Sequence, residues 1–277
     1  MFSITYKTTI KNILRSPSFL MITVILLLIT IHGAISGFYV GDDAPDMVIQ
    51  KWDYVECAEN ACSAKLMMYS IPIFVSFLTV LILQRDYGDS FFEIEKASGI
   101  SVARYILGRL FALITVGFVI MFAMNLLLIH WYVFSRGGVH DMGVAEYLFD
   151  SLIRVFMLDI SVALPGIIFY VTLTYLIGSL FKNGIVAAVV SVSYALCYYA
   201  SFLIFWSKLP TVIFNYFSPT PLKLRRFFKF FGTEWFETSL ANNGITVLDA
   251  VFCICFLVGV AVLCSAISYI RVRQRNN

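Results

Sequence analysis

YILGRLFALITVGFVIMFAMNLLLIHWYVF, residues 105–134, is the stretch that decides the fold class. It contains a single formal charge, Arg109, and at about 1.5 Å of rise per residue its length exceeds the roughly 30 Å hydrocarbon core of a bilayer. Working outward, further apolar runs lie near residues 18–39, 66–83, 152–180, 184–206 and 247–270. Six such runs use more than half of the 277 residues and leave only short connections, so no soluble domain fits between them. The expected fold is an all-α integral membrane protein with six transmembrane helices.

Composition agrees. The chain is 60% hydrophobic and 13% charged, against about 25% charged for a soluble domain. Lys and Arg number 20 against 17 Asp and Glu, and this small, scattered excess does not fit nucleic-acid binding. Neither the glycine spacing of a phosphate-binding loop nor a zinc-type cysteine quartet is present, so the expectation is that the chain binds no cofactor and hydrolyses no ATP itself.

Before the first run, Phe2, Tyr6, Ile10, Ile13 and Leu14 recur three or four residues apart, with Lys7, Lys11, Asn12 and Arg15 elsewhere on the wheel. This pattern predicts an amphipathic interfacial helix over residues 1–16. Pro17 ends it by pushing Ser16 out of the helical region, which lets the chain turn from lying on the membrane to crossing it. The first run exceeds the 7 to 15 residues of a secretory h-region and is expected to be retained.

Orientation follows from Lys and Arg, which concentrate in cytoplasmic loops. With both termini cytoplasmic, the inner segments hold eleven of them, from Lys7, Lys11 and Arg15 through Arg85, Lys96, Arg104, Arg109 and Lys182 to Arg271, Arg273 and Arg275. The first outer loop is acidic, with Asp42, Asp43, Asp46, Asp53, Glu56 and Glu59 against Lys51 and Lys65. Residues 207–246 conflict with this topology, because Lys208, Lys223, Arg225, Arg226 and Lys229 would lie outside.

The connection between the second and third runs, residues 84–104, carries its own start and stop signals. Ser90 followed by Glu93 forms a capping box, Gly99 suits a left-handed helix end, and Ser101 can cap the next helix. A short cytoplasmic helix over residues 91–98 is expected, with Phe91, Phe92 and Ile94 to bury and Glu93, Glu95 and Lys96 to show water.

This loop, the basic opener broken at RSPSF (residues 15–19), and LPGIIFYVTLTYLIGSLFKNGIVAAVV (residues 164–190) together resemble a type-2 permease of the ATP-binding cassette (ABC) transporters. The resemblance covers nearly the whole chain and is one of pattern rather than of invariant motifs. It implies a six-helix subunit that pairs with a second permease subunit, as a homodimer or heterodimer. It also implies that ATP and Mg are held by separate ABC ATPase subunits that dock on the loop between helices two and three. Ser90, Phe91, Phe92, Glu93, Ile94, Glu95 and Gly99 then form the coupling helix. The same likeness makes residues 207–246 an outer-leaflet helical segment, opened by Thr220 and Pro221 and closed by Gly232. Its LKLRRFFKFF core (residues 222–231) reads as a lid over an export path, as a basic collar, or as plain interfacial anchoring.

Polar groups inside a membrane are costly and so mark functional candidates. His32, Asn125, His130, Arg154 and Asp159 all fall in the outer half of this topology and could line a substrate path. Arg154 and His130 lie near helix ends, where side chains can snorkel, and Asn125 could instead bond a neighbouring helix. Gly33 and Gly37 are spaced for close helix packing, within the subunit or against a second copy. Cys197, Cys253, Cys255 and Cys264 sit in apolar runs as small hydrophobes, whereas Cys57 and Cys62 share the acidic outer loop.

A membrane-embedded proteolytic or lipid-modifying enzyme, or a channel, is the alternative. Histidines at 32, 130 and 140 lack metalloprotease spacing, Asp159 has no second aspartate in another core segment, and no filter-like glycine run occurs. The sequence reading is therefore a permease subunit in the bacterial cytoplasmic membrane, in contact with lipid and not with nucleic acid. Its activity would be ATP-driven export of an amphipathic or hydrophobic substrate, such as a peptide, lipid or drug. One chemical expectation follows directly: an oxidising exterior joins Cys57 to Cys62, closing a small ring worth roughly 2 kcal/mol. Intact chain treated with an alkylating agent under denaturing, non-reducing conditions should leave both thiols unmodified, and modification of both would remove the bond.

Overall fold

A computed structural model of the chain describes residues 2–38, 71–88, 97, 99–135, 152–153, 155–156, 159–181, 183–205 and 246–274. Among them are seven α-helices and no strand: α1 (Phe2–Leu14), α2 (Pro17–Phe38), α3 (Ile71–Gly88), α4 (Val102–Ser135), α5 (Leu164–Phe181), α6 (Gly184–Phe205) and α7 (Val247–Gln274). A π-helical turn, Asp159–Ala163, leads into α5.

The helix ends follow local chemistry. Asn183 caps α6, its Oδ1 accepting from the Ile185 N–H at 2.9 Å. Thr246 and Asp249 bond reciprocally at the start of α7: the Thr246 N–H donates to Asp249 Oδ2 at 2.8 Å, and the Asp249 N–H donates to Thr246 Oγ1 at 3.2 Å. Between α1 and α2 the axis turns by 67°. Pro17 is the first residue of α2 as well as the end of α1's path, the position where its missing N–H costs nothing.

α5 is the centre. It packs against α7, α3, α6 and α4, and 61% of its residues are buried, compared with 28% in the apolar window of α7. α7 instead turns Leu248, Val251, Val262, Leu263 and Ile270 outward. Apolar surface of that extent is unfavourable in water and neutral in hydrocarbon, so the solvent for this face is lipid. The protein is membrane-embedded. Val102–Leu127, Leu164–Phe181 and Val247–Gln274 are long and apolar enough to cross a bilayer, and the bent α1–α2 pair makes a fourth if it counts as one span. The apolar parts of α3 and α6, Ile71–Gln84 and Gly184–Tyr194, are shorter. Of the six expected crossings, three are therefore present at full apolar length among the described residues.

α1 lies across the first turns of α4, and its buried stripe differs from the one its apolar pattern predicts. Thr5, Thr9 and Ile13 are buried, while Ile4 and Leu14 are exposed. The reason is proximity: a Cβ on Gly108 of α4 would meet Thr5 Cβ and Cγ2 at 3.0 Å, so the two backbones approach to a distance that only small residues allow. The Tyr6 hydroxyl then reaches Thr115 Oγ1 at 3.2 Å. Gly108→Val should overpack this contact at a cost of about 1–3 kcal/mol and lift α1 away. Trypsin cleavage after Lys7 and Lys11 in membrane vesicles should rise several-fold, and an unchanged cleavage rate would show that the contact does not hold α1.

Candidate functional site

Two of the intramembrane candidates, Asn125 and Asp159, come together. Asn125 sits on α4 and Asp159 opens the π-turn, with 2% and 0% of their surfaces exposed. The Asn125 Nδ2 donates to Asp159 Oδ1 at 2.6 Å. A π-turn adds a residue to the helical repeat, and such bulges recur at functional sites. Here it sets the register in which Asp159 meets α4. One turn earlier on each segment, Phe122 and Phe156 pack edge to face with centroids 5.6 Å apart, and Phe118 stacks on Phe122. The amide and the carboxyl therefore face each other beside an aromatic, low-dielectric layer, where a missing partner is expensive. Asn125 Oδ1 is buried without a hydrogen-bond partner among the described residues. Both side chains are enclosed rather than open to a wide vestibule.

A second polar site was legible only as a counted charge. Arg109 belongs to the cytoplasmic set by the charge rule, yet it is 1% exposed inside the α1–α4 contact. Its Nη1 donates to Thr9 Oγ1 at 3.0 Å, and Thr9 in turn donates to the Thr5 carbonyl at 2.7 Å. Its Nη2 reaches the Tyr105 hydroxyl at 3.4 Å, with the guanidinium 5.0 Å from the Tyr105 ring centroid. A lone charge within an otherwise apolar run, four residues after a tyrosine, was the available signal. Thr174 on α5 forms a third joint: its Oγ1 lies 3.2 Å from Ser76 Oγ on α3 and 2.9 Å from Ser191 Oγ on α6.

Of the expected coupling residues, Gly99 has φ +80, the left-handed conformation anticipated for it, and open space where a side chain would begin. The Ser101 carbonyl accepts the Tyr105 N–H at 3.0 Å as α4 starts. Ser90, Phe91, Phe92, Glu93, Ile94 and Glu95 lie outside the described residues, as do Cys57, Cys62, Arg154 and the 207–246 segment apart from Thr246. His32, Gly33 and Gly37 fall in the later part of α2 and His130 in the later part of α4. Cys253, Cys255 and Cys264 are free thiols on α7. Among the described residues no group of three His, Cys, Asp or Glu could hold a metal.

Neither a family model nor a curated protein matches the chain. The site must therefore be judged by its own chemistry, which is that of polar joints between helices.

Asn125→Leu removes a donor from a buried carboxyl and should cost about 1–3 kcal/mol. Adding Asp159→Leu removes the second polar group as well and should recover part of the loss, because an apolar pair is cheaper than one polar group left behind. Thermal unfolding of the chain in mild detergent measures both. A double variant less stable than Asn125→Leu alone would mean that Asp159 is held mainly by other contacts.

Proposed function

We propose that the chain is a permease subunit of an ABC transporter in a bacterial cytoplasmic membrane, with six crossings and both termini cytoplasmic. It works with a second permease subunit and with separate ATPase subunits that hold ATP and Mg. The observation that carries this reading is the way the α3–α4 connection enters the bundle. Gly99 breaks the helical path at φ +80 just before α4, and Arg109, about two turns into that helix, bonds α4 to Thr9 of α1. A push that reaches the start of α4 is thereby carried to α1 through the Arg109–Thr9 bond.

On this reading residues 90–99 form the coupling helix, with Phe91 and Phe92 seated on the ATPase. ATP binding closes the ATPase pair and biases the permease between inward-facing and outward-facing populations. Motion of α4 reaches two further places. At Asn125 it acts on Asp159 and the π-turn, and through that turn on α5, which touches most of the other helices. Shifts in a packed bundle are discrete rather than elastic, so a displaced α4 moves the set together. The cargo is an exported amphipathic or hydrophobic molecule, a class suited to the aromatic side chains of the third and fifth crossings.

Affinity purification of the tagged chain in mild detergent, with mass spectrometry and an ATPase assay on the eluate, tests this. An ATP-binding subunit should co-purify and be lost from Phe91→Ala/Phe92→Ala while the permease stays inserted. A chain that purifies alone under conditions preserving other membrane complexes would overturn the proposal and favour a membrane enzyme or channel.

A further inference from the structure

The α1–α2 elbow lies beside an apolar groove. The groove, a cavity of about 360 Å³, has α3 as its floor and α2 and α6 as its walls. Phe74, Phe77 and Leu81 line the floor, Met21 and Ile25 one wall and Val189 the other. At one end it adjoins a second cavity of about 530 Å³ bounded by Asn12, Arg15 and Ser16. Ser18, Leu81 and Gln84 border both cavities. An apolar channel thus ends at a cationic, hydrogen-bonding mouth. Arg15 is exposed and forms no ion pair among the described residues.

The dimensions select an occupant. From Ile73 to Gln84 the groove follows α3 for about 16 Å, close to half of a hydrocarbon core about 30 Å thick. That is the depth of one leaflet. The ends also agree: the mouth lies where α1 meets α2 and α3 approaches its carboxyl end, which under the charge-rule topology is the cytoplasmic side, where anionic lipid concentrates. A phospholipid supplies together what the site calls for, an apolar chain for the walls and an anionic group for the Arg15 mouth.

We propose that this groove is a site for one anionic phospholipid of the inner leaflet. An acyl chain lies against Phe77 between α2 and α6, and the headgroup phosphate is held by Arg15 with Asn12 and Gln84 beside it. The lipid would wedge the 67° elbow, fixing α1 relative to α2. This inference rests on the chain being embedded in a membrane and not on its pairing with an ATPase.

The test is retention of lipid by the full chain, reconstituted in nanodiscs of equal phosphatidylglycerol and phosphatidylcholine, extracted into mild detergent and analysed by mass spectrometry. The wild type should keep about one lipid per chain, with phosphatidylglycerol enriched about fivefold, the factor expected of one basic residue at the headgroup. Arg15→Gln should bring the two lipids to parity without reducing the total, and Arg15→Lys should preserve the enrichment. Val189→Trp, at an exposed wall position, should fill the groove and reduce both lipids. Circular dichroism and gel filtration of each variant establish that it is folded. Equal retention by the wild type, enrichment unchanged in Arg15→Gln, or lipid unaffected by Val189→Trp would each overturn the site. So would a lipid-free wild type whose dimerisation is abolished by Val189→Trp, since the groove would then belong to a second copy.

Discussion

Hydrocarbon offers apolar side chains nothing that they do not also find inside the protein, so burial of leucine and valine cannot by itself decide which helix lies against which. Polar atoms can. Among the described residues they meet where Arg109 bonds Thr9 and Tyr6 bonds Thr115, where Asn125 bonds Asp159, and where Thr174 bonds Ser76 and Ser191. Between them they tie α1 to α4, α4 to the turn before α5, and α5 to α3 and α6, and the α1–α4 and α3–α5 bonds join residues about 100 positions apart. Small residues such as Gly108 add the close approach that the bonds require. The apolar core around α5 fills the space that these joints define.

A bundle built this way is suited to moving as a few discrete units. The α1–α4 unit is held by a charge-assisted bond and a tyrosine–threonine bond, each stronger in low dielectric than at a water-exposed surface. The proposed transport cycle uses this unit as its lever and the Asn125–Asp159 joint as its connection to the centre. The lipid site makes a different use of the same end of the molecule, because the elbow that carries Arg15 also carries the helix docked on α4.

The apolar runs were legible because membrane thickness fixes their length, and the helices found over residues 17–38, 102–135, 184–205 and 247–274 lie on them. The break at Pro17 and the left-handed Gly99 were legible because proline and glycine have conformational signatures independent of context. The joints were not. Thr5 and Thr9 look like the polar side of an amphipathic helix, and only the packing of Thr5 on Gly108 and of Thr9 on Arg109 makes them the buried side. Arg109 looks like a topology charge, and only three-dimensional packing supplies Thr9 as its partner. Asn125 and Asp159 were each singled out from sequence, but their pairing depends on a π-turn that has no pattern in the residues around it. Thr246 and Asp249 had the spacing of a capping box and could have been read as one.

The partner of α1 is made late. Thr9 and Arg109 are separated by 100 positions, which at about 5–20 residues per second of synthesis leaves α1 waiting some 5–20 s for the helix it belongs to. During that interval Thr5 and Thr9 have no protein to face. A basic, amphipathic helix has a second surface open to it in that interval, the lipid headgroup region, which takes such helices without a protein partner. Lys7, Lys11 and Arg15, exposed in the folded chain, are the kind of side chain that an anionic membrane surface attracts.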